Sequence, residues 1–338
     1  MAAFEKLKAF KPGQNARAIL LLLEVSQKET QNGKCYCRLL LSDGKETHIA
    51  NMWDTKQEAI EPLVEGLVQC IIKNEIYKDT LTFIVSEINK APDNPEKYTL
   101  KNFIVSAPVE ADTMYDELLD AAVNYDGPDS VLYKITEHIF TEYKDNLLCW
   151  AGAKTVHHAY QSGLLYHMYR MMLVGRNILS VYDLHKDVFI TGLLLHDIGK
   201  LKELDTNPLG CANYTTNGDL FGHTLLGLEI FDEAVAAVKK EFDSLSDENL
   251  ENEVKKEANS FSDEDLEKIR LVKHMIASHH GKTEFGAIIT PSIPEAMILH
   301  HIDTIDSRMD VYEKNLPEPG TVSDKIWALD GYIYSPSI

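Results

Sequence analysis

The spacing of apolar and polar residues divides the chain into a strand-like first part and a helix-like second part. Before residue 90, short runs rich in leucine, β-branched and aromatic residues are separated by turn signals such as QNG and SDG, which is typical of β-strands. From about residue 111 to 315, apolar positions recur at intervals of three and four, which is typical of amphipathic helices. The predicted strands cover 17–25, 34–42, 46–53, 67–77 and 80–88. The predicted helices cover 113–123, 130–143, 154–180, 187–199, 223–240, 264–280 and 294–314.

The order of these elements predicts an α+β chain with two domains. A polar, helix-compatible stretch at 54–66 separates the third strand from the fourth, which favours a five-stranded closed barrel of the OB type. Periodicity alone leaves another five-stranded β-domain open as the alternative. Because breaks rich in proline and polar residues follow at 91–112, we expect an OB-like barrel over 1–110 and an all-helical domain over 111–338, with linker helices at 111–153.

Composition narrows the class of protein. The chain has 338 residues and is 44% hydrophobic, which is enough for a substantial core. It has no apolar run of the roughly 18 residues that a membrane span needs, and its first residues lack the pattern of a signal peptide. The five cysteines are scattered and form no CxxC pair, which argues against a zinc ribbon and against a disulfide framework. We therefore expect a cytoplasmic protein without a membrane partner.

The net charge of −20 is distributed unevenly. Residues 1–110 hold 14 basic and 15 acidic side chains, so nearly all of the net charge falls on 111–338. This balance argues against non-specific nucleic-acid binding by the whole surface, and an anionic polymer meets less repulsion at the N-terminal third. The stretch 239–268, with 11 acidic and 5 basic side chains, is predicted to be a solvated helical excursion.

Histidine is concentrated in the helical part of the chain. Eleven of the thirteen histidines lie between 157 and 301, in a window of about 43% of the chain, where chance would place five or six. A single buried histidine is more often a core residue than a ligand, but a series of His and Asp at the ends of different helices is typical of a metal site. The predicted metal ligands are His167, His196, Asp197, His223, His279, His280 and Asp303. For the HH pairs at 157–158 and 300–301, an ordinary polar role stays open.

Imidazole and carboxylate ligands without a thiolate suit a divalent ion such as Mn²⁺, Fe²⁺, Co²⁺, Mg²⁺ or Zn²⁺. On a helix His196 and Asp197 point about 100° apart, so they can face two ions with Asp197 as the bridge. Two ions about 3.5–4 Å apart suit phosphoester hydrolysis. Asp197 and Lys200 are the predicted catalytic residues, Lys200 contacting the scissile phosphate, although a solvated surface lysine is the alternative. Gly199 fits either a close approach to substrate or the end of the helix.

These motifs together resemble the HD-domain 3′–5′ exoribonucleases of the YhaM type. The resemblance covers roughly 15–310 and is carried by HHAYQSGLLYH, LLHDIGKLKEL, NYTTNGDLFGHTLLG, HMIASHHG and PEAMILHHIDTIDSRM, together with LLLSDGKETHIANMWD in the barrel. It implies 3′–5′ hydrolysis of single-stranded RNA, with single-stranded DNA as a further substrate, dependence on Mn²⁺ above the other ions, and assembly into homo-oligomers. The sequence departs from the family pattern at Ser162, where a glycine is expected, and at Tyr166 and Met168 beside the first ligand.

The resemblance also implies that the barrel holds the nucleic-acid strand. Aromatic side chains would stack on bases and basic side chains would contact phosphates. Strand alternation turns some of the aromatic side chains into the core, and surface charge for solubility is the alternative role of the basic ones. The candidates are Tyr36, Trp53, Tyr77 and Phe83 for stacking, and Lys34, Arg38, Lys45 and Lys73 for phosphates.

Two further functions are consistent with the same residues. An HD phosphohydrolase acting on free or cyclic nucleotides would use the same metals, but it has no need of a strand-holding barrel. A non-enzymatic nucleic-acid-binding factor with a vestigial metal site is the third reading, and the intact ligand series argues against it. Metal-dependent turnover discriminates between these readings.

Overall fold

The protein is described by a computed structural model that covers residues 13–30, 32–77, 80–244 and 261–338. The chain forms two compact units that divide between Ser106 and Ala107. Most of the acidic stretch 239–268, for which a helical excursion is predicted, lies outside the described residues. Within the described ranges, no helix combines the length and the apolar character that crossing a bilayer requires.

The first unit is a closed β-barrel. Its strands are β1 (Asn15–Glu29), β2 (Cys35–Ser42), β3 (Thr47–Trp53), β4 (Gly66–Tyr77) and β5 (Thr80–Lys90). A short helix, α1 (Gln57–Ile60), and a 3₁₀ turn (Glu61–Leu63) connect β3 to β4, and a second 3₁₀ turn (Leu100–Phe103) follows β5. The five strands and the connecting helix confirm the prediction from the sequence.

The strands close in the order β1-β2-β3-β5-β4, because β1 pairs with both β2 and β4. Every pairing is antiparallel except that of β3 with β5. Alternate side chains such as Leu39, Leu41 and Ile72 point into the barrel and are fully buried. Phe83 also belongs to this core, so its predicted role in base stacking is wrong; the prediction for Tyr77 lies outside the described side chains.

The second unit is helical apart from one small hairpin. Its elements are α2 (Ala111–Asp126), α3 (Val131–Glu142), α4 (Lys144–Leu147), α5 (Gly163–Ile178), α6 (Lys186–Leu195), α7 (Lys200–Glu203), β6 (Leu204–Thr206), β7 (Ala212–Tyr214), α8 (Thr216–Ser244), α9 (Asp263–Ser278) and α10 (Pro294–Lys314). Two 3₁₀ turns (Thr283–Phe285 and Trp327–Leu329) lie before and after α10. The pairing of β6 with β7 is a feature that the periodicity did not predict.

Helix α6 lies at the centre of this unit. Its residues Val188 to Leu195 are all buried, and it packs against α2, α3, α5, α9 and α10. A helix that is apolar on every side is stable only when it is surrounded by other elements. Side chains of α2 and α3, including Leu118 and Ile135, join the same core, so these helices are integral parts of the unit.

Two predicted helices are shorter than expected. The helix predicted over 154–180 begins only at Gly163, because His158 and Ser162 both adopt left-handed backbone conformations with φ of 52° and 61°. The helix predicted over 187–199 ends at Leu195, and residues 196–199 form a turn. A residue with a left-handed backbone conformation interrupts a helix. Such conformations depend on tertiary contacts, which the spacing of apolar residues does not predict.

Candidate metal centre

Five helices, and the turns that follow two of them, bring the predicted metal ligands together. His167 projects from the second turn of α5, and His196 and Asp197 lie in the turn directly after α6. His223 follows a break in α8 at Gly222, where φ is 68°, and His279 and His280 follow the end of α9. Asp303 lies in the middle of α10. Since His196 and Asp197 are in a turn, the predicted helical position of this pair is wrong.

One group of side chains surrounds the Oδ2 atom of Asp197. The Nε2 atoms of His167 and His196 each lie 3.5 Å from that oxygen and 3.2 Å from each other. The Oδ1 atom of Asp303 lies 3.4 Å from Nε2 of His167. These atoms are close enough to act as ligands of one ion, because two ligands about 2.1 Å from a common ion are about 3.0–3.4 Å apart.

A second group surrounds the other oxygen of Asp197. Its Oδ1 atom lies 3.4 Å from Nε2 of His223 and 3.7 Å from Nε2 of His279. Nε2 of His223 lies 3.3 Å from that of His279 and 2.9 Å from that of His280. Asp197 therefore places one carboxylate oxygen in each group, which is the geometry of a bridging ligand.

The hydrogen bonds behind these imidazoles show that the groups fit a cation. Nδ1 of His196 donates to the carbonyl of Leu193, and Nδ1 of His279 donates to the carbonyl of Ile276. Nδ1 of His223 donates to Glu203 at 3.0 Å. In a neutral ring with its proton on Nδ1, Nε2 is an acceptor, and these Nε2 atoms face one another. Crowded lone pairs repel one another unless a positive ion lies between them, and hydrogen-bonded outer nitrogens are typical of metal-ligating histidines.

The pKa values of His279 and His167 are shifted in opposite directions. Burial, together with the neighbouring His280, lowers the pKa of His279 well below its ordinary value, so this imidazole is neutral and ready to bind an ion. Burial alone would also lower the pKa of His167, but its hydrogen bond to Asp306 raises it. An ion held by His167 would therefore compete with a proton for its ring.

Asp306 orients His167 through a buried hydrogen-bond network. Its Oδ2 atom accepts from Nδ1 of His167 and from Nε2 of His158, both at 2.7 Å, and its Oδ1 atom pairs with Nε of Arg170 at 2.6 Å. Burial alone would raise the pKa of Asp306, but the bonds from His158 and His167 hold it far below its ordinary value. The partners of Asp306 come from α5 and the loop that precedes it. They make Asp306 part of the metal centre's support.

Lys200 is buried beside Asp197 and is not a solvated surface residue. Its Nζ atom donates to Oδ2 of Asp197 at 2.6 Å, and its carbonyl accepts from the indole of Trp150 at 3.0 Å. Burial alone would lower the pKa of Lys200, but the facing carboxylate raises it, so the side chain is a cation. Lys200 thus holds a permanent positive charge next to the predicted bridging ligand.

Gly199 allows two segments of backbone to meet. A Cβ atom at this position would lie 1.9 Å from the carbonyl oxygen of His223 and 2.4 Å from the nitrogen of Gly227. Its φ of −62° is ordinary, so the requirement is for space and not for glycine's conformational freedom. Gly199 thus lets the turn after α6 pack directly on α8, which fixes Asp197 relative to His223.

A pocket of about 340 Å³ opens beside these groups. It is lined by His157, Asp197, Lys200, His280, Phe285, His300, Asp303, Thr304, Ser307 and Arg308. Burial, helped by the charge of Lys200, lowers the pKa of His157 to about 2, so its ring is neutral. Sequence reasoning did not select His157, His300 or Arg308 as site residues. The HH pairs were the available signal for the two histidines.

The barrel presents part of the predicted strand-binding surface on β2 and β3. Tyr36 and Trp53 are register partners whose ring centroids are 4.8 Å apart, and Trp53 is exposed. Arg38, two residues from Tyr36, is exposed on the same face of β2. Lys73 lies elsewhere, on β4, which pairs with β1 and β5, and it forms an ion pair with Glu75. The structure therefore groups three of these four residues.

Comparisons with known proteins agree with this architecture. Residues 164–308 match the family model of the HD domain. The chain is 28% identical over 334 residues to the 3'-5' exoribonuclease YhaM of Oceanobacillus iheyensis, a match that covers 96% of this chain and 95% of that protein. Together with the His and Asp groups, the HD match supports dependence on a divalent metal. The helical unit thus carries an HD domain, and over nearly its whole length the chain is similar to a 3'-5' exoribonuclease.

Proposed function

We propose that this protein is a metal-dependent 3′–5′ exoribonuclease that degrades single-stranded RNA and also accepts single-stranded DNA. The main observation is the pair of ligand groups that share Asp197, because two neighbouring ions suit phosphodiester hydrolysis. The similarity to an exoribonuclease over both the barrel and the helical unit supports the same function. The reaction releases a nucleoside 5′-monophosphate and leaves a new 3′-hydroxyl on the shortened strand.

We infer that two divalent ions bind, with Mn²⁺ preferred over Fe²⁺, Co²⁺, Mg²⁺ and Zn²⁺. His167, His196 and Asp303 would hold one ion, His223, His279 and His280 the other, and Asp197 would contact both. The bound ions supply the positive charge and the activated water that the hydrolysis of a phosphodiester needs. Isothermal titration with each ion in turn measures both the stoichiometry and the preference.

The protein's own residues position the ligands and balance charge. Glu203 holds the ring of His223 from behind, and Asp306 holds that of His167, so the Nε2 atoms keep their direction when an ion arrives. The ammonium of Lys200 lies at the wall of the pocket and offsets the negative charge that grows on the phosphoryl oxygens during attack. The proton that leaves His167 on metal binding passes to solvent or to buffer.

The barrel holds the strand in this proposal. The exposed ring of Trp53 beside Tyr36 provides a stacking surface for bases, and Arg38 provides a positive charge for a phosphate. Stacking on aromatic rings tolerates every base, which suits an enzyme that removes nucleotides one after another without sequence preference.

A hydrolase of free or cyclic nucleotides is the alternative function. The acidity of residues 111–338 favours it, because a small substrate meets less repulsion than a polyanion does. The pocket volume of about 340 Å³ is also sufficient for a small ligand. The aromatic and basic surface of the barrel favours the exoribonuclease, since a mononucleotide has no use for it.

The deciding experiment is digestion of a 5′-labelled single-stranded RNA in the presence of Mn²⁺. A ladder that shortens from the 3′ end, and that is absent with EDTA and with Asp197→Ala, supports the exoribonuclease. Near-normal turnover by Asp197→Ala contradicts the assignment of the site. Intact RNA together with hydrolysis of nucleotides or cyclic nucleotides supports the alternative, and binding of RNA without turnover of any substrate supports a vestigial site.

Two further proposals concern the setting of the protein. We infer a cytoplasmic location from its five cysteines, all of which are free thiols, as a reducing compartment maintains them.

We also infer assembly into homo-oligomers, because Met297, Ile305 and Met309 are exposed apolar side chains on one helix, α10. Light scattering coupled to size-exclusion chromatography measures the oligomeric state.

A further inference from the structure

One face of α10 forms a polar wall of the pocket. His300, Asp303, Thr304, Ser307 and Arg308 recur at intervals of three and four residues, and all of them line the pocket. Asp303 is the member of this series that faces the metal groups. Arg308 lies five residues further along, which corresponds to a rise of about 7.5 Å along the helix. The wall therefore extends from the metal centre by a distance on the scale of one nucleotide.

Arg308 differs from the other cation in the pocket. The ammonium of Lys200 is bound to Asp197 at 2.6 Å. Within the described ranges, the guanidinium of Arg308 makes no ion pair and no hydrogen bond, although the unit around it is strongly acidic. An arginine whose donors are free can bind a phosphate with two parallel hydrogen bonds. A lysine whose ammonium is already bound to a carboxylate cannot do this.

We propose that Arg308 binds the phosphate that lies one nucleotide to the 5′ side of the scissile phosphodiester. The proposal rests on the proposed exoribonuclease function and specifies its substrate as the end of a polynucleotide. When a strand is cut at its last phosphodiester, every other phosphate lies on the 5′ side of the cut. A second phosphate-binding group near the metal centre therefore contacts the strand that is retained, and it distinguishes a polynucleotide from a mononucleotide or a cyclic nucleotide.

The test compares two dinucleotides that differ by one phosphate. A dinucleotide with a 5′-hydroxyl contains only the scissile phosphodiester, whereas its 5′-phosphorylated form carries a second phosphate one nucleotide away. The wild-type protein with Mn²⁺ is expected to have a kcat/KM about tenfold to a hundredfold higher for the phosphorylated form, the range for a charge-assisted hydrogen bond. In Arg308→Ala this ratio is expected to fall towards one, and in Arg308→Lys part of it is retained.

The ratio of the two substrates cancels any general effect of a substitution on folding or metal loading. Arg270→Ala, which changes an exposed arginine of α9 that lines no part of the pocket, is the matched control and retains the wild-type ratio. If the wild type hydrolyses neither dinucleotide nor RNA, the proposed function fails. If it hydrolyses them but the ratio is near one, or is unchanged in Arg308→Ala, only the role of Arg308 is overturned.

Discussion

Replacing Asp306 by asparagine tests the network that supports the metal centre. The carboxylate accepts hydrogen bonds from His158, His167 and Arg170 at 2.6–2.7 Å, and all three donors approach oxygen atoms. Asparagine keeps one oxygen and replaces the other by an NH₂ donor. If that oxygen faces the histidines, the NH₂ group meets the guanidinium of Arg170. If it faces Arg170, His167 must accept at Nδ1, which puts its proton on Nε2, where an ion would bind.

Two magnitudes follow from this geometry. Asp306 and His158 are buried, so an unmatched donor there should lower the free energy of unfolding by about 3 kcal/mol. Loss of an outer-shell partner typically weakens metal binding by about 10-fold to 100-fold, and we expect a change of that size for Mn²⁺. Urea denaturation measures the first quantity and isothermal titration measures the second.

Asp310→Asn is the matched control for this experiment. Asp310 is equally buried on the same helix and accepts from the backbone N–H of His158 at 2.9 Å, but it does not touch a predicted ligand. We expect this variant to lose stability while its affinity for Mn²⁺ stays within about threefold of the wild type. If Asp306→Asn binds Mn²⁺ as tightly as the wild type does, the network does not orient His167 and the argument is wrong.

Three other predictions concern separate parts of the molecule. Gly199→Ala introduces a Cβ atom 1.9 Å from a backbone oxygen, so urea denaturation should show that the free energy of unfolding falls by about 3 kcal/mol or more. A fall of less than about 0.5 kcal/mol would contradict the close contact. Burial alone would raise the pKa of Asp43, but the hydrogen bond from His48 and two backbone N–H groups lower it to about 2. This pKa is lower in the folded protein than in the unfolded chain, so Asp43→Asn should be about 2 kcal/mol less stable than the wild type above pH 4. The difference in stability should narrow as the pH falls towards 2. A difference that does not change with pH would refute the assignment. Trp53→Ala should weaken binding of single-stranded RNA by about 1–3 kcal/mol in fluorescence anisotropy, with little change in Mn²⁺ affinity, whereas unchanged RNA binding would remove this ring from the strand-binding surface.

Much of the fold follows from local patterns in the sequence. The barrel strands are predicted because short runs of leucine, β-branched and aromatic residues are separated by turn signals, and α10 is predicted over its full length of Pro294–Lys314 because its periodicity is uninterrupted. The ligand series is equally visible, since seven His and Asp residues in this order along the helical part of the chain are improbable as core residues. In each case the information lies within a few neighbouring residues.

The remaining features depend on contacts between distant residues. His158 adopts its left-handed conformation with its N–H bound to Asp310, which is 152 positions away in the sequence. His158 and His167, the histidine partners of Asp306, lie 148 and 139 positions away from it in the sequence. Lys73 is separated from Trp53 because the parallel pairing of β3 with β5 places β4 beyond β5, and strand order is a property of the whole barrel. Patterns within a few neighbouring residues do not predict such long-range pairings.

Because Asp197 places its two oxygens in two ligand groups, substitutions at different ligands should change the stoichiometry of metal binding differently. A ligand that belongs to one group affects one ion, so its loss should reduce the binding stoichiometry from two to one. Loss of Asp197 removes a ligand from both groups at once, and the stoichiometry should fall to zero. A first ion bound to one oxygen of Asp197 would fix the rotation of the carboxylate and direct its other oxygen towards the second group. If two ions bind as proposed, the sites would fill as a coupled pair, and a titration should show a sigmoidal isotherm in place of two independent steps.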